Sequence, residues 1–325
     1  MGITVQRRGA MDEYIGHLTD DGKRKQILQE HLQNVAKLAA RFGQIFGVKQ
    51  EAGIIGYNHD DGKFNMDFQK YIRGEKKGRV DHSTLGAQFL WKQKKNLGLL
   101  SVLGAFCIAG HHSGLMDYGN QVDEPGEATL WGRMKKDIPA FEKVCHQLPR
   151  PVLSDPENLQ KYGTCHMDVM LLTRMLFSCL VDADFLDTEA FMNPEGIERG
   201  QFPSISSLAK RFFTQLEEKG FLHPQNTINQ KRFQILSTCR EKGKGDAGLY
   251  TLTVPTGGGK TISSMAFAME QAVTQQKTRI IYVIPYLSII DQTAEIFKDF
   301  LGKESILESH SQVHYDMDEE HITKE

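Results

Sequence analysis

The doublet His59-Asp60, set in Tyr57-Asn58-His59-Asp60-Asp61-Gly62-Lys63-Phe64, has further imidazoles and carboxylates on both sides of it in the chain. His31 precedes it, and His82, the pair His111-His112 and two aspartates in Val181-Asp182-Ala183-Asp184 follow. A His-Asp dipeptide alone specifies nothing. Imidazoles and carboxylates embedded in otherwise apolar helical segments are what a site for two divalent metals requires, because each ion needs several N and O ligands from separate helices. A buried, uncompensated histidine or aspartate is costly, so such residues on apolar faces need a partner, and a metal supplies one. A donor set without thiolate suits Mn, Fe, Ni, Co or Zn more than Ca. Two ions a few Å apart suit phosphodiester cleavage: one activates the attacking water, the other stabilises the leaving oxygen, and a carboxylate such as Asp60 can bridge both. Lys63 is a point charge that could hold the scissile phosphate or order the attacking water; equally, it could cap the C-terminal end of its helix. The plainer reading, a hydrogen-bonded core histidine or helix cap, is kept for His17, His146, His166 and His223.

The elements that must position these residues read as helices from about residue 10 to 215, with helix-period apolar stripes and few β-branched runs. Leu28, Leu32, Val35, Leu38 and Phe42 make one stripe, with His31 on the same inward face. Residues 54–59 read as another helix, which Gly62 could terminate; residues 83–95, 97–110 and 168–191 give three more. Loops rich in turn residues separate them at 73–81, 119–126 and 149–156. His59-Asp60, His82 and His111-His112 each fall where a buried helix meets a loop, the place from which ligands on different helices can converge. Asp182 and Asp184, two apart on one helix, lie roughly 200° apart around its axis and cannot share a face. Periodicity does not choose between them.

In order and spacing, the series His31, His59-Asp60 with Gly62-Lys63, His82-Ser83 followed by Gly86-Ala87, His111-His112-Ser113-Gly114 and the Ala183-Asp184 helix resembles the HD domain of the CRISPR-associated nuclease-helicase of type I systems. The resemblance covers residues 10–215. It implies an all-α helical bundle with a two-metal endonuclease site for single-stranded DNA, recruited by the type I CRISPR RNA-guided surveillance complex in antiviral defence. It further implies His31, His59, Asp60, His82, His111, His112 and Asp184 as ligands of two divalent ions, Mn, Fe, Ni or Co, with Asp60 and Lys63 as the catalytic pair. The family's closing aspartate follows an alanine, which selects Asp184; Asp182 is then a solvent-facing or supporting residue.

After Phe213 the composition changes, and the stretch from Glu217 to Asn226 reads as a linker. The expected division is a domain at 1–215, a linker at 216–228, and at 229–325 the N-terminal part of an α/β, RecA-like lobe. Residues 249–254 read as a buried strand running into Pro255-Thr256-Gly257-Gly258-Gly259-Lys260-Thr261 and then a helix at 262–275. Glycines let backbone N–H groups turn inward around a phosphate at a helix N-terminus, Lys260 reaches the outer phosphates and Thr261 ligates Mg. Thr256, Gly257, Gly258, Gly259, Lys260 and Thr261 are therefore the expected site for ATP with Mg. The loop has Val254 where the plain Walker pattern has its first glycine, and in this it is similar to superfamily 2 helicases. The next strand, 279–285, and the helix 287–300 with Asp291-Gln292 resemble that superfamily's following motif. Asp318-Glu319-Glu320-His321 fits a D-E-x-H box, but the segment before it, 310–317, is polar where a buried strand is required, so it reads as a solvated acidic loop. No other Walker B carboxylate is found before Glu325, so the nucleotide site is expected to be incomplete, without helicase or ATPase turnover.

A length of 325 residues allows two domains, and 40% hydrophobic with 25% charged residues is an ordinary globular composition. The net charge of -2 gives no global basic signature, so DNA contact would use local patches: Arg73, Lys76, Lys77 and Arg79 before His82, then Lys92, Lys94 and Lys95, and then Arg133, Lys135 and Lys136. Such runs are also ordinary solvated faces. The cysteines (Cys107, Cys145, Cys165, Cys179, Cys239) form no C-x-x-C pair and fit reduced thiols. Met1 to Arg8 lacks a signal peptide's apolar core, and the longest apolar run, 97–110, is too short for a bilayer, so a cytoplasmic protein with no membrane partner is expected. Two rival readings use the same residues: an HD phosphohydrolase acting on nucleotides, and a catalytically silent module that binds the surveillance complex.

Overall fold

The computed structural model describes residues 14–19, 21–138, 150–162, 165–196 and 202–310, and the chain divides into two compact units, Met1–Ile197 and Glu198–Glu325. The first unit opens with a short antiparallel hairpin, β1 (Ile15–Leu18) and β2 (Lys25–Ile27). The sequence pattern reads as helical here, and the structure corrects it. The chain reverses where Thr19 Oγ1 donates to Asp21 Oδ1 at 2.7 Å and Gly22 takes a φ of 69°, local turn chemistry that overrides the apolar periodicity around it.

Helices follow. α1 (Leu28–Gln44) buries Leu28, Leu32, Val35 and Ala39 along one stripe with His31 among them, and packs against α2 (Lys49–Asn58). After α2 come a 3-10 turn (Asp61–Phe64) and α3 (Met66–Ile72). α4 (Ser83–Trp91) and α6 (Leu100–Gly110) form a second pair, with the single turn α5 (Lys94–Leu97) between them. The chain cannot run as two continuous helices over 83–110, because Gly98 adopts a φ of 52°. α7 (Leu130–Met134) and a 3-10 turn (Asn158–Tyr162) lead to the long α8 (His166–Met192), which packs on α1, α2 and α6. Ile55, Ala87, Leu100, Ile108, Leu176, Leu180 and Ala183 lie in the shared core.

The second unit consists of α9 (Ile205–Glu218), α10 (Thr227–Gly243), α11 (Lys260–Thr274) and α12 (Leu287–Leu301). Its core joins Phe212 and Leu216 of α9 to Leu236, Met265, Met269, Phe297 and Phe300. The division therefore falls between Ile197 and Glu198 rather than at 215, and part of the expected linker is the end of α9 and the start of α10. The reason is packing: α9 is amphipathic, and its apolar face is covered by α11 and α12.

The expected strands are also corrected. Residues 249–254 and 279–285 form no strand, and the hairpin β1–β2 is the sheet found among the described residues. Leu249 is 97% exposed, Ile281 80% and Val283 85%. Local β propensity favours an extended backbone, but a buried parallel strand also needs backbone hydrogen bonds to neighbouring strands, and among the described residues these segments have none. Asp318-Glu319-Glu320-His321, Cys145 and His146 lie outside the described residues. No helix among the described residues is long and apolar enough to cross a membrane.

Candidate metal centre and phosphate loop

The end of α2 delivers His59 and Asp60, the start of α4 follows His82, the end of α6 delivers His111 and His112, α1 carries His31, and α8 carries Asp184. The structure brings all seven side chains together. Asp60, His82, His111 and His112 form one group of potential ligand atoms within 4.8 Å of one another, and His59, His111 and Asp184 form another. His31 Nε2 lies 3.3 Å from Asp184 Oδ1, 3.3 Å from His59 Nε2 and 3.5 Å from Asp60 Oδ2. Of the two aspartates on α8, Asp184 joins the cluster while Asp182 is exposed beside Ser178.

Asp60 is central, and its two oxygens face different ways. Oδ2 lies 3.3 Å from His59 Nε2 and 2.7 Å from Lys63 Nζ, whereas Oδ1 lies 3.5 Å from His111 Nε2 and 3.7 Å from His82 Nε2. The imidazoles are oriented by what their other nitrogen does. His59 Nδ1 donates to Gly56 O at 2.8 Å, His82 Nδ1 to Val80 O at 3.0 Å and His111 Nδ1 to Ile108 O at 2.7 Å, while His31 Nδ1 meets Asp187 Oδ2 at 2.7 Å. A carbonyl can only accept, so Nδ1 of His59, His82 and His111 carries a proton, and in all four imidazoles Nε2 is the nitrogen aimed inward, the arrangement of metal-ligating histidines. His112 Nε2 approaches His82 Nε2 at 2.7 Å from the exposed side.

These residues fit a divalent ion on two further observations. Asp60 Oδ1, His111 Nε2 and Asp184 Oδ1 are buried without a hydrogen-bond partner, a costly state for polar atoms unless a cation lies between them. The electrostatics also favour positive charge. Burial alone would lower the His31 and His59 imidazoles, yet the neighbouring carboxylates of Asp184, Asp187 and Asp60 carry His31 up to about 9, and Asp60 with Asp184 carries His59 up to about 10. Burial pushes the Asp60 carboxyl upward, but His59, Lys63, His111 and His31 hold it well below the usual carboxylate range; Asp184 is held low likewise, by His31 and His59. On the exposed rim, burial and the neighbouring His111 and His82 push His112 down to about 4.

The two sides of the cluster meet through main chain. The Gly62 N–H donates to His82 O at 3.0 Å, and a Cβ on Gly62 would overlap the His82 backbone; a Cβ on Gly86 would overlap the Asn58 carbonyl. Glycine is thus required at 62 and 86 for the α2 turn and α4 to close. Asp61 turns the other way, to Arg150 Nη1 at 2.8 Å, and Arg150 lies over the Phe89 ring at 4.0 Å.

Two residues at the cluster are not in the set read from sequence. Asp187 orients His31, and its signal was available, since it stands three residues beyond Asp184 on the same face of α8. His17 reaches the cluster from β1, with Nε2 3.5 Å from His31 Nε2; a short strand gives no comparable signal. Lys63 is buried, donating to Asp60 Oδ2 and, at 3.1 Å, to Gly16 O, so it touches a potential ligand and is not simply a helix cap. His223 pairs with Glu217 at 2.5 Å on the surface of the second unit.

Around the centre the basic clusters divide. Arg73, Lys76, Lys77 and Arg79 are all exposed in the loop before His82, with Lys76 tied to Asp67 at 2.8 Å. Lys92, Lys94 and Lys95 are exposed, and Lys94 lies over Trp91 at 4.8 Å. Arg133, Lys135 and Lys136 serve internal contacts: Arg133 donates to Ala109 O, Lys135 to Asp123 O at 2.6 Å, and Lys136 pairs with Asp81 at 2.5 Å.

In the second unit, Gly257 and Gly259 take left-handed φ values of 80° and 81°, and Gly259 leads directly into α11 at Lys260. Arg232 Nε donates to Gly257 O at 2.8 Å and so braces the loop from α10. Thr256, Gly257 and Lys260 are exposed, while Gly258, Gly259 and Thr261 are half-buried. A cavity of about 240 Å³ beside the helix start is lined by Lys219, Phe221, Asn229, Arg232, Phe233 and Gly259, among others.

Residues 222–323 match a family model described as the type III restriction enzyme, res subunit, and this stretch is a partial helicase superfamily 2 region. No curated protein matches the chain.

Proposed function

We propose that the first unit is a two-metal HD nuclease cutting single-stranded DNA, and that the chain acts in CRISPR antiviral defence with a type I RNA-guided surveillance complex. The observation that carries the metal-dependent reading is the Asp60 carboxylate, with Oδ2 toward His31 and His59 and Oδ1 toward His82 and His111. Bound divalent ions would supply a water of lowered pKa and positive charge for a leaving oxygen. The chain's own groups do the rest. Backbone carbonyls and Asp187 fix the imidazole orientations, Lys63 fixes Asp60 Oδ2, and the Lys63 ammonium carries charge for a phosphate oxygen.

DNA as substrate and the surveillance complex as partner rest on the resemblance of residues 10–215, joined in one chain to a helicase superfamily 2 region. A motor-type region in the same chain as a phosphodiesterase site favours a polynucleotide over a mononucleotide. In the second unit, Thr256, Gly257, Gly258, Gly259, Lys260 and Thr261 are the proposed ATP and Mg site.

The test is cleavage of single-stranded DNA by protein reconstituted with Mn, Fe, Ni or Co. His59→Ala and Asp60→Ala are expected to abolish cutting, and rates equal to the parent overturn the proposal. Preferential turnover of dNTPs or cyclic dinucleotides over DNA gives the nucleotide phosphohydrolase instead. Mass spectrometry finding about two ions per chain supports the nuclease; none after anaerobic purification supports the silent binding module.

A further inference from the structure

The hairpin at the start of the first unit is pinned to the centre. Gln69 accepts from the Ile15 N–H at 2.9 Å, donates to Ile15 O at 3.0 Å, and also donates to Lys63 O at 2.8 Å, so one amide ties β1 to the turn that carries Lys63. Between Ile15 and His17 the β1–β2 register shifts. Bulges of this kind re-aim a side chain, and here the residue after it is His17. Its ring meets His31 edge-on, with centroids 4.5 Å apart at 73°, and its Nε2 lies 3.5 Å from His31 Nε2.

We propose that His17 is a further ligand in the half of the centre formed by His31, His59, Asp60 and Asp184; this rests on the metal-dependent reading of that site. Ligand atoms of His17, His31, Asp60 and Asp184 all lie within 4.8 Å of one another. Bonds of about 2.1 Å place neighbouring donors about 3 Å apart and opposite donors about 4.2 Å apart, so this quartet fits around a single ion with small adjustments. Lys63 Nζ also approaches His17 Nε2, at 3.4 Å, but its contacts with Asp60 Oδ2 at 2.7 Å and Gly16 O at 3.1 Å are shorter. The contact with His17 is therefore the one that Lys63 gives up. Thr188 Oγ1, also 3.4 Å from Nε2, has a rotatable hydroxyl and does not fix the ring.

His17, His31, Asp60 and Asp184 form one group of four potential ligands, and Asp60, His82, His111 and His112 form another, with Asp60 in both and His59 Nε2 3.3 Å from Asp60 Oδ2 and 3.5 Å from Asp184 Oδ1. His17 thus gives the His31 side as many potential ligands as the His82 side, where His112 is exposed.

The test uses the full chain stripped of metal and titrated with Co(II), followed by visible absorption and by metal count. His17→Phe keeps the ring packing and removes the nitrogen donor; His17→Gln retains an oxygen donor. His17→Phe is expected to bind one ion at least about tenfold more weakly, keep the other, and change the Co(II) absorption, with His17→Gln intermediate. Parental affinity and spectrum in both variants overturn the inference and leave the nuclease reading standing. Failure of the parent chain itself to bind Co(II) overturns that reading along with it. If His17→Phe does not fold, His17→Gln decides alone: weaker binding of one ion supports the ligand role, and parental binding overturns it.

Discussion

The two candidate sites of this chain differ in how much of their support lies around them. In the first unit, each inward-facing imidazole of His31, His59, His82 and His111 has its other nitrogen held by a carbonyl or carboxylate, and Asp60 between them is buried. The site is enclosed by packed helices that supply both ligands and braces. In the second unit, the loop Thr256–Thr261 is well formed at its glycines and held by Arg232, yet residues 249–254 and 279–285, on either side of the loop and its helix, are mostly exposed and without backbone pairing among the described residues. A helical site takes its geometry from contacts within each helix and between faces. A phosphate loop at a strand end takes part of its geometry from a sheet, and sheets are made of pairings distant in sequence.

The sharpest separation of the two sites is a pair of substitutions compared on one assay. Asp60→Ala removes the carboxylate that faces both halves of the cluster, and metal-dependent cleavage of single-stranded DNA is expected to fall by about 10³-fold or more, since several kcal/mol of charge stabilisation depend on it. Lys260→Ala in the phosphate loop is expected to leave that cleavage within about twofold in the absence of ATP. Equal losses would show that the sites do not act separately.

A smaller effect tests whether the bracing matters as well as the ligands. Asp187→Asn keeps the size of the side chain that orients His31 and removes its charge, and metal affinity measured by titration is expected to drop about 10–100-fold. An unchanged affinity would reduce the first site to its ligands alone.

The third test reads charge. Against an ordinary imidazole value near 6.5, His31 at about 9 and His59 at about 10 are raised in the folded, metal-stripped unit. A raised folded value stabilises fully below about 6.5, and that stability is lost as pH climbs through about 9 and 10. Urea unfolding of stripped protein, followed by the fluorescence of Trp91 and Trp131, both in the first unit, is expected to show a midpoint that falls over this window. Restored metal is expected to reverse the trend, because ligands must shed protons to bind it.

The smallest expected effect concerns the exposed segments. Val283→Lys is expected to change stability by no more than about 0.5 kcal/mol, as at other exposed positions. A loss of several kcal/mol would show that residues 279–285 sit in a buried sheet, and would erase the contrast between the two units.

Much of the first site was legible because its residues break a pattern. His31 on an apolar stripe, and His59, His82 and His111 at helix ends, are polar groups where packing wants apolar ones, and that conflict is visible in one dimension. Asp184 could not be separated from Asp182 by periodicity, since the face that α8 turns inward depends on α1, α2 and α6. His17 was hidden for a related reason: its neighbours read as helix, while the hairpin depends on a turn and on the amide of Gln69, 54 positions away from Ile15. For residues 249–254 and 279–285 the sequence shows a local preference for β structure but no strand forms among the described residues, because pairing is the part that local preference does not contain. The end of the first unit was misplaced because the apolar face of α9 is visible in sequence, but the identity of the helices that cover it is not.

The contact of Gly62 with the His82 carbonyl and of Gly86 with the Asn58 carbonyl has an evolutionary consequence. Where backbone touches backbone between the two halves of a centre, the span across it belongs to the scaffold rather than to the ligands. On the metal-dependent reading, exchange of an imidazole at the rim, such as His112, for a carboxylate in a descendant lineage changes the donor set while leaving the span unchanged. Drift at the two glycines would do the reverse, keeping every ligand and losing the register between them.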